Sequence, residues 1–294
     1  MSDDINPQTS PFNPLPEGCI ANIISLTSPK DACRVAAVSL GFKSAADSDT
    51  VWERFLPPNY EEVVSRATSP LAFKTKKQLF FLLRSSTLLL DGGKLSFWLT
   101  KSGEKEYMLS TRELQIASID NPKHWGWTSL PESRFAEVAE LRSICKLEIR
   151  GKIPARMLSP QTKYVAWLMY APCHRFSGLD YPSKASIKFV KEDGTEMEGE
   201  TTKIYIDTPN ERFMAEGRSI IGIDGQLSWA LDDYWYGIEL GEFFIGEGVG
   251  YDVHIQVSET ERLNLKKGLI IDGIKLQSRK DNVFSRLSVL RESG

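Results

Sequence analysis

Between Asn13 and Pro58 the chain carries more apolar surface than so short a segment can bury by itself. Leu15, Ile20, Ile23, Ile24, Leu26, Val35, Val38, Leu40, Phe42, Val51, Trp52, Phe55 and Leu56 all fall within it. Chains below about 40 residues rarely build a sufficient core unaided. No paired cysteine spacing and no metal motif staples this one. The apolar excess therefore has to be covered, either by the rest of the chain or by another protein.

Helix punctuation in the segment is clear. Pro16 and Glu17 open a first helix with Ile20, Ile23 and Ile24 at i, i+3, i+4 spacing. Ser28 reads as an N-cap, Pro29 as the first helical residue and Asp31 as the closing member of a capping box. Ala32, Val35 and Ala36 then share a face, and Gly41 reads as a stop. Asp49 caps a third helix bearing Trp52, Phe55 and Leu56, ended by Pro57 and Pro58. Three short helices of this kind form either a docking module or a cap packed on the remainder of the chain.

The run Leu15-Pro16-Glu17, Ile20, Ile23, Leu26, Ser28-Pro29-Lys30-Asp31, Val35 and Val51-Trp52 resembles the F-box. The resemblance implies docking to a Skp-family adaptor and, through it, to a cullin ubiquitin ligase. It places adaptor contacts at Leu15, Pro16, Ile20, Ile23, Leu26, Pro29, Val35, Phe42 and Trp52.

At 294 residues there is room for two modest domains. The apolar fraction of 41% and charged fraction of 26% are those of a globular protein. A net charge of -3 lacks the basic field of a dedicated nucleic-acid binder. The cluster Lys74, Lys76, Lys77 reads as the solvated side of a helix. No basic-then-apolar signal opens the chain, and the longest purely apolar run, Leu79 to Leu83, is far below the ~20 residues of a membrane span. Cys19, Cys33, Cys145 and Cys173 are widely spaced and read as reduced, partly buried thiols of a cytoplasmic or nuclear protein.

Residues 1–12 read as a disordered lead, 13–58 as the helical module and 59–92 as a helical linker with helices over Tyr60–Ala67 and Phe73–Ser86. From residue 93 to the C-terminus the periodicity shifts towards two. Cys145, Leu147 and Ile149 alternate with charged residues, Tyr164–Tyr170 suits a central strand, and Glu192-Asp193-Gly194-Thr195 supplies a turn. Further strands fall around Ile187–Phe189, Ile204–Ile206 (closed by Thr208-Pro209-Asn210), Tyr236–Phe244, Tyr251–Val257 and Leu269–Gln277. Many short strands with Gly/Pro/Asp punctuation make this half an antiparallel sandwich or barrel, and the whole chain α+β.

The densest unusual cluster is Asn121-Pro122-Lys123-His124-Trp125-Gly126-Trp127, read as a loop because of Pro122 and Gly126. Two indoles there form either a flat platform for the C–H face of a sugar or a plug for one end of the sandwich.

That loop, with Phe135–Leu141, Leu147–Ile153 and Trp235–Phe244, resembles the phloem-lectin domain of plants, the family of the tobacco agglutinin Nictaba. The resemblance covers about two thirds of the chain, from near Ser96 onward. It implies a jelly-roll-like β-sandwich able to bind N-acetylglucosamine- or mannose-containing glycans. Within it Trp125 matches the sugar-binding loop tryptophan and Trp127 accompanies it. Ser118 stands where the family lectin has a second tryptophan. Glu239 and Glu242 are placed either to accept sugar hydroxyls or as outward residues of an edge strand.

Catalytic chemistry has little to stand on. His124, His174 and His254 are isolated, and no metal or cofactor motif is present. Cys173 and His174 are strand neighbours facing opposite ways. Gly246–Gly250 imitates a phosphate loop but precedes a strand and lacks the Lys-Ser/Thr. The sequence thus reads as a non-catalytic receptor subunit of a cullin ligase, or alternatively as a free lectin with a helical cap.

Overall fold

A computed structural model describes residues 15–206, 224–232, 234–247 and 250–279. The expected lead 1–12, the turn Thr208-Pro209-Asn210, and Gly248 and Val249 of the glycine run lie outside them.

Four helices, rather than three, occupy the N-terminal module: α1 (Glu17–Ser25), α2 (Pro29–Val35), α3 (Leu40–Asp47) and α4 (Asp49–Phe55). The capping box forms as the sequence reads. Ser28 accepts from the Asp31 N–H (3.2 Å), and its hydroxyl donates to the Asp31 carboxylate (2.7 Å). Gly41 is not a stop. It lies in the first turn of α3, which begins because Ser39 accepts from the Phe42 N–H (3.3 Å). Asp49 is the first residue of α4 rather than its cap, and its carboxylate accepts from the Lys76 N–H (2.8 Å).

Two further helices, α5 (Tyr60–Ser65) and α6 (Lys76–Ser85), join this module to the rest. Trp52 is fully buried, donates to the Ala46 carbonyl (2.7 Å) and packs against Phe80 and Phe81, each with ring centroids 5.3 Å away. Lys77 pairs with Asp47 (2.6 Å) and lies over the Trp52 ring. The lysines expected on a solvated side thus partly turn inward, drawn to acids and rings of the first four helices. Leu79, Phe80 and Leu83 continue into a single apolar core that runs on through the sandwich. After α5 the chain joins the sheet edge: Thr68 N–H donates to Leu89 (2.8 Å), and Arg66 holds Asp91 with two contacts of 3.0 and 2.6 Å.

The strands are β1 (Leu88–Leu90), β2 (Leu95–Leu99), β3 (Lys105–Ser110), β4 (Gln115–Ile116), β5 (Trp125–Thr128), β6 (Val138–Leu141) and β7 (Leu147–Pro154). They continue as β8 (Thr162–Ser177), β9 (Ser183–Lys191), β10 (Glu196–Tyr205), β11 (Gln226–Ala230), β12 (Tyr236–Ile245), β13 (Tyr251–Glu259) and β14 (Lys267–Ser278). One layer runs β1-β2-β3-β14-β8-β12-β11, with β6 on β14 and β5 on β6; the other runs β10-β9-β13-β7-β4. Among the described residues pairing is antiparallel except for a two-residue parallel contact where β10 passes to β11 and the sheet folds over. Gly151 of β7 marks how closely the layers meet, since a Cβ there would lie 3.0 Å from both Ile274 and Leu109. The architecture is the expected antiparallel sandwich behind an α-helical module.

Alternation sets the two faces of the larger layer. Tyr107, Leu109, Tyr164, Leu168, Tyr170, Ile238, Leu240, Ile271, Ile274 and Leu276 point inward to the core. Asp272, Lys275, Gln277, Trp167, Glu239, Glu242, Glu106 and Trp98 take the outer face by register.

Candidate functional site

The N-terminal helices split their apolar residues between two faces. Ala21 and Ile24 of α1 are buried, whereas Ile23 is 55% exposed and Leu26, its C-cap, 69%. Leu15 and Pro16 are exposed beside them; Ile20, Pro29, Val35 and Phe42 are half-buried. Trp52 does not belong to this face. It is part of the core, so its place among the adaptor contacts is corrected to a supporting one. Two residues the site reading missed join the exposed set: Val38 (68%) and Leu40 (86%). Both were obscured by taking Gly41 for a helix end, which hid that Leu40 starts a helix with its side chain outward.

The predicted sugar loop is partly a strand. Asn121 accepts from Lys123 N–H (3.0 Å) and from His124 N–H through its carbonyl (2.8 Å), and β5 starts at Trp125. Trp125 is 2% exposed, pairs with Leu141 across β5–β6 and donates its indole N–H to Ala117 (3.0 Å). Trp127 opposes Ala139 on the same inward side and lies under the guanidinium of Arg112, 3.5 Å from its ring centroid. Arg112 is itself fixed by Glu137 (2.5 Å). The indoles therefore plug an end of the sandwich, and neither presents an open platform. Ser118, exposed with φ 59°, supplies no replacement.

Glu239 and Glu242 face the other way. Glu239 sits opposite Trp167 on the outer side of the larger layer, and burial holds its carboxyl above the ordinary range against the pull of Arg279. Glu242 is clamped by Lys163 and Arg279. The four residues expected to share a sugar site thus fall on opposite faces of one sheet.

That outer face carries chemistry the sequence reading did not single out. Trp98 lies between Arg134 and Lys275, whose cationic groups stand 5.4 and 5.3 Å from its ring. Glu106 accepts from the Ser278 N–H (2.9 Å), and Asp272 accepts from the Ser133 hydroxyl (2.6 Å). Burial raises both carboxyls above their ordinary range and pushes the Lys275 amine down to about 8. A legible signal existed: Asp272 and Lys275 interrupt the otherwise apolar run Leu269–Leu276. The array offers an aromatic ring, cations and carboxylates, which suits binding.

Elsewhere the titratable residues are dispersed. Cys173 accepts from the Arg175 N–H (3.4 Å), and His174 beside it is exposed. Among the described residues no three His, Cys, Asp or Glu side chains gather as metal ligands. The four cysteines are free; Cys19, Cys33 and Cys145 are exposed rather than partly buried as expected, and Cys173 is half-buried.

Comparison with known proteins agrees with both halves. A family model described as "Phloem protein 2" (PP2) matches residues 104–278. The chain is 42% identical over 279 residues to F-box protein At2g02240 of Arabidopsis thaliana, covering 94% of this chain and 83% of that one. It is 37% identical over 282 residues to F-box protein PP2-B10 of the same plant, covering 94% and 97%. Among solved structures it is loosely similar to the C-terminal family 22 carbohydrate binding module of Clostridium thermocellum Xyn10B, with a TM-score of 0.32 and 8% identity over 59% of this chain and 91% of that one.

Proposed function

Because the chain belongs to the phloem protein 2 family of plant F-box proteins, we propose that it is the substrate-recognition subunit of an SCF-type cullin ubiquitin ligase. The observation that carries this reading is the outward apolar surface of Ile23 and Leu40 on α1 and α3, and of Leu15, Leu26 and Val38 in the segments flanking the helices, while the inner helix faces are already packed. Apolar side chains grouped on one small module, with the core already filled behind them, mark a protein interface. A Skp-family adaptor is the partner that fits. The chain performs no bond chemistry; it holds a target close to the transferring subunit, which raises the target's effective concentration there.

The sandwich supplies the target-binding surface. Burial of Trp125 and the cover Arg112 gives Trp127 favour recognition of a protein surface over a glycan held at that loop. An N-acetylglucosamine- or mannose-containing target would have to be gripped elsewhere on the domain. Four free thiols fit action in the reducing cytoplasm or nucleus.

Co-expression with a Skp-family adaptor tests the docking. The full chain is expected to co-purify with it, and the Ile23→Asp, Leu26→Asp double variant to lose it while keeping a native circular-dichroism spectrum. Full retention by that variant sinks the assignment.

A further inference from the structure

Where α5 meets the sandwich lies a recess of about 340 Å³, walled by Asn59 and Glu62 on the helical side and by Lys105, Arg156, Met157 and Leu158 on the other. Lys105 lies at its floor and is only 4% exposed. Its ammonium carries three donors. The oxygens it reaches are the Asn59 amide oxygen at 3.4 Å and the Arg156 carbonyl at 3.5 Å. Both contacts exceed the 2.7–3.2 Å of a well-formed N–H···O bond. Glu62 acts on the amine through its charge, yet its carboxylate contacts Arg66 (3.4 Å) instead. The backbone beneath is pinned: Lys105 N–H donates to Ser159 (2.9 Å), and the Tyr164 hydroxyl donates to the Lys105 carbonyl (2.7 Å). Tyr107, two residues along β3 and on the same face, has a fully buried hydroxyl without a hydrogen-bond partner. Burying a cation with so few good acceptors is costly, and that cost is relieved when a counter-charge arrives.

We infer that this recess binds a small organic anion, its carboxylate on Lys105 with Arg156 at the rim and its apolar body against Met157 and Leu158. Two cationic side chains face one carboxylate there, so the charge complement of the ligand is a single negative group. The volume is at the lower end of small-molecule sites, which sets the ligand at about a dozen non-hydrogen atoms. Since the walls come from both α5 and the sandwich, the bound anion bridges the adaptor-facing half and the target-facing half. This site is independent of the docking face, so it stands or falls separately from the ligase assignment.

Calorimetry on the full chain with 4-phenylbutyrate, and with its neutral isostere 4-phenylbutyramide, tests the inference. The carboxylate is expected to bind with a roughly millimolar or tighter Kd, the amide at least tenfold more weakly, and Lys105→Gln to lose at least tenfold in affinity for the carboxylate. A second measurement needs no substitution: in lysine-labelled protein, the Lys105 side-chain resonance shifts with the carboxylate and not with the amide. Equal binding of the two compounds, no binding of either, or an unmoved Lys105 resonance overturns the proposal.

Discussion

The Arg112 guanidinium rests 3.5 Å from the centroid of the Trp127 ring while pairing with Glu137 at 2.5 Å. A planar cation stacked on an indole occupies the surface a sugar ring would use, so Trp127 is covered by its own chain. Arg112→Ala is expected to uncover it. Acrylamide quenching of tryptophan emission should rise, with a stability loss of only about 0.5–1 kcal/mol because the pair is part-exposed. Unchanged quenching would show that something else covers the ring.

Trp125 should behave as a core residue. Its indole is buried and bonded to Ala117, so Trp125→Ala leaves a cavity and an unpaired carbonyl. Urea denaturation is expected to show a loss of about 3–5 kcal/mol. A glycan-binding defect in this variant would therefore report unfolding unless the fold is checked first. A loss below about 1 kcal/mol would restore Trp125 as a surface residue.

Two kinds of substitution in the helical module should separate cleanly. Ile23→Asp and Leu26→Asp change exposed positions and are expected to move the melting temperature by no more than a few degrees while removing adaptor binding. Trp52→Ala removes a side chain packed against Phe55, Phe80 and Phe81 and is expected to cost about 3–5 kcal/mol. The check is a thermal melt of each purified variant beside an adaptor pull-down.

Stability should rise with pH just above neutrality. Burial pushes the amines of Lys105 and Lys275 down to about 8 from an ordinary 10.5. Between those values the unfolded chain binds more protons than the folded one, so each lysine favours folding as pH increases, by up to about 1.4 kcal/mol per pH unit. Above about pH 10 the trend reverses, because burial also raises Tyr107 and pushes Tyr164 up to about 12 while unfolded tyrosines ionise. Urea midpoints between pH 7.5 and 9.5 should climb in the parent chain and flatten in Lys105→Met and Lys275→Met. A flat parent profile contradicts this.

What the sequence made legible was local chemistry. Ser28-Pro29-Lys30-Asp31 specifies a helix start whose hydrogen bonds close within four residues, and it forms as read. Strand alternation at Leu147 and Ile149 likewise reports a face directly, whereas Cys145, read in the same alternation, is exposed ahead of the strand. Gly41 misled because glycine is tolerated in the first turn of a helix when Ser39 holds the N-terminus. The tryptophans misled for a different reason. Pro122 and Gly126 signal a loop, but whether an indole points out or in depends on β6, which lies beyond the motif and pairs β5 into the sheet. The separation of Trp127 from Glu239 onto opposite faces depends on the register across β6, β14, β8 and β12, and no spacing along the chain encodes it.

Trp52 against Phe80 and Phe81, with α6 carried on into the sandwich core, means the helical module and the sandwich cannot swing freely past each other. The chain works as a fixed-angle bracket. In the proposed ligase role, the direction in which a captured target projects would be set by residues 59–92, and the choice of which target lysine is modified would become a matter of aim.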